Sequence, residues 1–488
     1  MEAITTKIQF TKISAVILLV GFLLLAIFMF LRQNFVGGLV FLLAPFLIIF
    51  IGLIFKDARI GLASVFIINY FALGLVRYVP APWGLSVDGL LLLVWVSLFF
   101  KAFCERIPMS KALNDLTLVV SIWYGYIFLQ LFNPEAVSRE AWFYAMRGLA
   151  FYQFLIIPLS FVLLDHPRYM RMMINAWAFF TVLAVLKGVM QKFSGFDPFE
   201  QKWLDSGGAL THIIVTGTRY FSFFSDAGNY GASMGFSGVV FSIIALHSKR
   251  LKKKLIFSLI ALGAFYGLLI SGTRGALAVP AGGFLLYTIL SKRMSILIPG
   301  LLVMIGMFVF LKYTTIGQDN YEIRRARTAL DPDDASFKVR RENQKKLAVY
   351  LATRPIGGGV GSAGNWGQRF TPNTFLANVP TDSWYVMIWA ETGVVGLILH
   401  ISILLFILIK GAWIIMAKLK DTELIYPLIG LLSGMFGIML ASYGNGVLGQ
   451  MPNGIIIYLS MAFIWMSRKW ETDHTTRKRY QQHAELSF

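Results

Sequence analysis

Residues 312–364 read KYTTIGQDNYEIRRARTALDPDDASFKVRRENQKKLAVYLATRPIGGGVGSAG, and residues 378–396 read NVPTDSWYVMIWAETGVVG. Together they bound a long polar interval, 312–391, in a chain otherwise built of apolar blocks. Hydrocarbon offers no hydrogen bonds, so apolar runs of about twenty residues cross it as helices that satisfy their own backbone. One polar excursion between two such bundles predicts an all-α polytopic membrane protein of about 14 transmembrane helices with one large helical loop. The chemistry is expected on that loop.

Composition agrees. Of 488 residues, 57% are hydrophobic and 14% charged, with a mean hydropathy of +0.67; a soluble chain carries about a quarter charged residues. The apolar runs fall near 12–31, 35–55, 60–77, 86–103, 115–132, 147–165, 170–191, 229–247, 254–271, 274–290, 294–311, 392–416, 424–443 and 453–467. This divides the chain into an N-terminal bundle (1–311, about eleven spans), the loop 312–391, a C-terminal group (392–467, about three spans) and a basic tail, 468–488. The first run lacks a cleavage pattern and is read as a retained span.

The net charge is +19 and the isoelectric point about 9.8, but this does not indicate nucleic acid. The Lys and Arg residues sit in alternate short loops: Lys56 and Arg59, Lys101 to Lys111, Arg168 and Arg171, Lys249 to Lys254, Lys292 and Arg293, Lys418 and Lys420, and the tail. That side is cytoplasmic by the positive-inside rule. Both termini then lie inside and the loop 312–391 lies outside, with 133–146 and 192–229 as further outer segments. A single cysteine, Cys104, excludes an intramolecular disulfide and a cysteine-rich metal site. No internal repeat is visible, which argues against the repeat-built transporter folds.

Several outer residues are candidates for chemistry. The run 336–353 reads as a helix opened by Asp331-Pro332-Asp333-Asp334 and stopped by Arg354-Pro355. Its Arg340, Gln344, Leu347 and Leu351 share one face. The leucines should pack on the membrane body, which aims Arg340 the same way, with Arg341 beside it. Arg274, in Ser271-Gly272-Thr273-Arg274-Gly275, faces either a polar cavity or the lipid headgroups. Arg219 either lines a substrate entry or pairs with Asp226, and Arg147 is a weaker version of the same signal. The run Gly357-Gly358-Gly359-Val360-Gly361 lacks the Lys-Ser/Thr of a phosphate loop and reads as a tight turn. Trp384, Tyr385 and Trp389 suit the membrane–water interface. Arginine binds phosphate through a planar, permanently charged fork, so several outward arginines without a metal-ligand cluster suit a lipid-linked diphosphate.

In three ordered pieces over residues 210–400 the chain resembles the O-antigen ligase and O-antigen/exopolysaccharide polymerase superfamily. Thr218-Arg219-Tyr220-Phe221 through Asn229, then Gly272-Thr273-Arg274-Gly275-Ala276, resemble the first two motifs. Arg340 followed by Arg354-Pro355-Ile356-Gly357-Gly358-Gly359-Val360-Gly361, and Glu391-Thr392-Gly393-Val394-Val395-Gly396, resemble the last module and its ending. The resemblance implies a bacterial inner-membrane enzyme whose periplasmic loop is catalytic. It implies inverting transfer, without metal or other cofactor, of a glycan from undecaprenyl diphosphate. Arg274 and Arg340 would activate the diphosphate, with Arg219, Arg341 and Arg147 as substrate-binding candidates. Implied partners are the lipid-linked donor, an acceptor glycan or lipid A–core, membrane lipids and a chain-length regulator protein. Ligases of the family carry a His shortly before the Glu-x-Gly ending; this chain has Pro380-Thr381-Asp382-Ser383-Trp384 instead. Asp382 is therefore read either as the base or orienter for the acceptor hydroxyl or as a helix cap, and the missing His tilts the reading from ligase toward polymerase. A flippase without chemistry and a structural envelope subunit are the rival classes.

Overall fold

The computed structural model describes residues 20, 21, 24, 25, 27, 28, 31, 35–79, 81–214, 217–292, 294–319, 321–327 and 335–485. The expected first span, 12–31, lies mostly outside the described residues, and so does the turn Asp331–Asp334. The described chain is helical: α1 Phe35–Lys56, α2 Ala58–Tyr78, α3 Trp83–Lys101, α4 Asp115–Leu129, α5 Arg139–Met146, α6 Tyr152–Leu163, α7 Pro167–Ser194, α8 Pro198–Trp203, α9 Ala227–His247, α10 Leu251–Ile270, α11 Ala278–Leu290, α12 Met294–Tyr313, α13 Tyr321–Arg327, α14 Ala335–Leu351, α15 Gly364–Phe370, α16 Trp384–Trp413, α17 Thr422–Ala441 and α18 Asn453–Glu485, with a few single turns between them. Among the described residues, nine helical stretches are long and apolar enough to cross a membrane, and Leu42–Lys56 and Arg274–Leu290 are shorter apolar helices. The protein is an all-α multi-pass membrane protein.

Contacts divide the chain into two units, residues to Ser64 with Gly89–Ile107, and Val65–Asp88 with the chain from Pro108 onward. In the first, Gly61 of α2 lies against Val94 of α3, with no room for a side chain. In the second, α9 is the central helix, buried along nearly its whole length and packed on α10, α11 and α17. Its sequence, AGNYGASMGFSGVV, explains this: small residues let neighbouring backbones approach where no hydrophobic force drives helices together in lipid. Gly238 of α9 receives the Phe265 ring of α10, and Gly434 of α17 receives Phe236 of α9. On the outer helices, Leu255, Leu259 and Leu262 of α10 and Ile398, Leu405 and Ile409 of α16 are exposed. Such apolar stripes are stable only against lipid.

Polar contacts within the second unit gather at two ends. At one end Lys111 and Lys469 pair with Asp165 at 2.8 and 2.5 Å, and Lys410 pairs with Asp115. At the other lie the ends of α4, α10 and α17, the starts of α5, α9 and α16, and the segment 335–391. Here Gln130 and Asn133, following α4, donate to the carbonyl of Ile356, each at 3.1 Å. Arg354 Nε meets Glu135 at 2.9 Å.

Two helices start earlier than their apolar runs. The run expected at 147 begins at Arg139, capped by Ser138 accepting from Ala141 N–H at 3.1 Å. It passes through a π-helical turn at Arg147–Phe151. The run expected at 392 is preceded by a helical segment that starts at Trp384, capped by Ser383, and joins it across a kink at Gly393 (φ 69°). Hydropathy locates where lipid begins; capping side chains locate where the helix begins.

Candidate active site

Helix α14 places Arg340 as its periodicity predicts. Leu347 and Leu351 are buried with Ala363, Leu376, Val379 and Ala390, each leucine contributing about 1.5–3 kcal/mol on full burial. On the same face, three and seven residues before Leu347, Gln344 and Arg340 line a cleft of about 200 Å³ with Phe337, Arg341, Asp382 and Tyr443. Arg340 Nε donates to Asp382 Oδ2 at 3.3 Å. Both side chains are partly exposed, so the pair contributes about 1 kcal/mol at most and the leucines anchor the helix. Asp382 is not the cap of α16. Ser383 takes that position, accepting from Val386 N–H at 3.5 Å, and the Asp382 carboxylate is left to Arg340.

The glycine run is a backbone lock. Gly358 N–H donates to Ala390 O and Gly359 N–H to Glu391 O, both at 2.9 Å. Gly357 (φ 78°) and Gly393 (φ 69°) lie backbone to backbone, where any Cβ would collide with the other strand of the contact. The Glu391 side chain, buried, accepts from Ala363 N–H at 3.3 Å. The 354–361 module and the Glu-Thr-Gly ending are thus two halves of one joint, which fixes the distance from α14 to Asp382.

Arg274 follows the end of α10. Thr273 Oγ1 donates to Ala227 O at 2.9 Å and accepts from Arg219 Nη2 at 2.8 Å; Arg219 Nη1 reaches Thr211 O at 2.9 Å. Asp226 meanwhile caps α9, accepting from Asn229 N–H at 2.9 Å. Arg219 therefore braces the turn that bears Arg274. A small recess there is lined by Arg274, Gly272, Leu269, Leu277 and Arg325, and Arg325 Nε donates to Gly272 O. Arg327 holds α13 in place by donating to Ile316 O at 2.6 Å.

The two arginine-bearing elements meet at the turn between α17 and α18. A Cβ placed on Gly444 would stand 3.7 Å from Gly275 Cα and 3.8 Å from Arg340 Nη1. Asn445, in the same turn, packs on Gly275, and among the described residues its buried Nδ2 has no hydrogen-bond partner. Ser442 O accepts from Trp384 N–H at 2.9 Å and from Ser383 Oγ at 3.3 Å. Arg340 thus has Nε on Asp382 and Nη1 beside Gly444, whose turn also packs against Gly275.

Other expectations resolve differently. Arg147 lines neither recess; its Nη1 pairs with Asp88 Oδ2 at 2.6 Å, largely buried. Trp384 is not an interfacial ring but is buried, donating through Nε1 to His400 Nε2 at 3.1 Å. His212, the histidine of the outer segments, has Nε2 accepting from Ala227 N–H at 3.1 Å and Nδ1 at 2.9 Å from Gly208 O. That requires the neutral Nδ1–H tautomer. Burial holds its imidazole below the ordinary 6.5, against the opposing pull of the Gly208 carbonyl. It is a structural residue and not a base for the acceptor. Among the described residues no group of three or more His, Cys, Asp or Glu side chains is arranged to hold a metal ion.

Tyr443, Asn445 and Arg325 were not foreseen. A short SYGNG interruption between apolar runs was the available signal for the first two, and the YEIRRAR run for the third.

A multi-pass membrane protein with paired arginine recesses at one face is the class that fold and site define. Residues 257–401 match the family model described as O-Antigen ligase; that span contains Arg274, Arg325, Arg340 and Asp382. The chain is also 25% identical over 345 residues, 66% of its length and 81% of the relative's, to an O-antigen polymerase of Salmonella muenchen. Both matches point to the O-antigen ligase and polymerase superfamily.

Proposed function

We propose that the protein is a polymerase-type glycosyltransferase of the bacterial inner membrane, acting at the periplasmic face. The acceptor sugar's hydroxyl oxygen attacks the anomeric carbon of a glycan carried on undecaprenyl diphosphate. The carbon–oxygen bond to phosphate breaks with inversion, and its electron pair leaves on the diphosphate. Asp382 takes the hydroxyl proton. Arg274 and Arg340 hold the diphosphate and stabilise the charge that grows on it, with Arg341 at the rim of the cleft and Arg219 bracing the Arg274 turn. No protein-bound metal is required in this scheme.

The observation that supports this reading most is the approach of Arg340 Nη1 and Gly275 to a common point at Gly444. The Arg340–Asp382 contact adds a coupling: an arriving diphosphate competes for the guanidinium and releases the carboxylate to act as base. The weak, exposed pair is suited to such exchange.

The match to the O-Antigen ligase family model favours a second reading, transfer of the finished glycan to lipid A–core. Both use the same donor site and differ in acceptor. Deleting the gene and resolving surface polysaccharide on a gel separates them. Single-repeat glycan on lipid A–core indicates a lost polymerase. Absence of glycan from that core, with lipid-linked chains accumulating, indicates a lost ligase.

A further inference from the structure

Three aromatic rings from two elements lie nearly parallel. Tyr144 of α5 stacks on Trp366 of α15 with centroids 5.0 Å apart and planes 24° apart. It stacks on Phe370 at 5.4 Å and 20°, and Trp366 and Phe370 are 6.3 Å and 25° apart. All three rings are half-buried. Arg369, exposed, places its guanidinium carbon 5.2 Å from the Phe370 centroid and 5.5 Å from that of Tyr144.

The local sequence explains the arrangement. Trp366 and Phe370 are one helical turn apart and share a face. Gly367 is pressed against Ser362 and Ala377 on the inner side, while Asn365, Gln368 and Arg369 are exposed. The group is tied to the cleft as well. Gly364, the first residue of α15, has Thr381 Oγ1 3.9 Å from where its Cβ would stand, and Thr381 precedes Asp382.

We propose that Tyr144, Trp366 and Phe370 form a subsite for a pyranose ring of the acceptor glycan, with Arg369 on its hydroxyl edge; this rests on the glycan-transfer reading above. A pyranose has an apolar C–H face and a rim of hydroxyls. The C–H face suits the negative face of an aromatic ring, and the rim suits Arg, Asn and Gln donors. Rings that merely anchor a protein in the headgroup layer need no mutual alignment across elements. Through Gly364 the ring-bearing helix reaches Thr381, next to Asp382, the residue proposed to meet the acceptor hydroxyl, so the subsite is assigned to the acceptor.

The test uses full-length protein in lipid nanodiscs and two probes measured by calorimetric titration. One is oligosaccharide cut from the surface polysaccharide of the source cell; the other is undecaprenyl diphosphate. Trp366→Leu and Phe370→Leu each weaken oligosaccharide binding about tenfold, the range of an aromatic stacking contact. Undecaprenyl diphosphate binding is unchanged, and Trp366→Phe retains most of the oligosaccharide affinity. Equal oligosaccharide binding by the leucine variants, or none by the wild type, overturns the subsite. So does loss of both ligands together with a lowered melting temperature, which assigns the rings to packing. Failure of the wild type to bind undecaprenyl diphosphate, with ring-dependent oligosaccharide binding intact, overturns the donor reading alone.

Discussion

Arg340 Nε lies 3.3 Å from Asp382 Oδ2, and these are the proposed diphosphate ligand and the proposed base. The two residues come from separate elements, α14 and the start of α16. They are brought together by the backbone joint between Gly357 and Gly393 rather than by the ion pair itself. A contact held from outside in this way can open and close without unfolding its surroundings.

Asp382→Asn keeps the shape of the cleft and removes the proton acceptor. Turnover in a purified transfer assay falls by about a hundredfold or more, while donor KM changes little. Ser383→Ala, one residue on, has the complementary effect: it lowers thermal stability by about 1 kcal/mol through the lost cap and leaves kcat largely in place. An unchanged turnover in Asp382→Asn would leave this carboxylate without a chemical role.

The glycine joint is intolerant of side chains. Gly393→Ala puts a Cβ onto the Pro355 carbonyl and Gly357 N at a positive φ that alanine disfavours. The expected result is loss of activity with increased protease cleavage in 354–364, measured by limited proteolysis of nanodisc-embedded protein. Alanine at Gly306, where no atom lies within 4 Å of the added carbon, has neither effect.

The Arg147–Asp88 pair predicts an effect on stability rather than on substrate. Arg147→Ala leaves the Asp88 carboxylate buried without its cation, a change that costs about 3–5 kcal/mol. Membrane-inserted protein is lost or its melting temperature falls sharply. Asp88→Asn/Arg147→Gln together recover a large part of that loss. If Arg147→Ala folds normally and only donor affinity drops, the residue belongs with the substrate after all.

His212 supplies a pH dependence. Its folded state holds the imidazole neutral, with a value lowered from 6.5 by burial, so the unfolded chain takes up its proton first as pH falls. The stabilisation is complete above the unfolded value and is lost as pH drops from about 6.5 toward the folded value. Melting temperature therefore falls between about pH 7 and 5, and the fall is smaller in His212→Gln. Identical acid profiles in the two proteins would contradict this.

Much of the architecture is legible in local pattern. Apolar runs mark the helices from α1 onward, and the 3.6-residue period of Arg340, Gln344, Leu347 and Leu351 orients α14 correctly. The glycine run is readable as a turn because its composition tolerates little else. The rest is non-local. Arg147 finds Asp88 59 residues away, and no spacing rule connects them. Trp384 resembles an interfacial ring until His400, beyond the kink at Gly393, is seen to accept its N–H. Gly444 and Asn445 sit in the polar interruption SYGNG, which marks a loop but says nothing of its neighbours. Their role comes only from where α17 and α18 place that loop, between Gly275 and Arg340.

The central claim, that Arg274 and Arg340 grip one diphosphate, is tested most directly by a double-mutant cycle on kcat/KM for transfer from undecaprenyl-diphosphate-linked glycan. Arg274→Ala and Arg340→Ala each lower it by about a hundred- to a thousandfold. The double variant falls well short of the product of the two losses, because both residues act on the same group. Full activity in either single variant, or strictly multiplicative losses, would contradict the account.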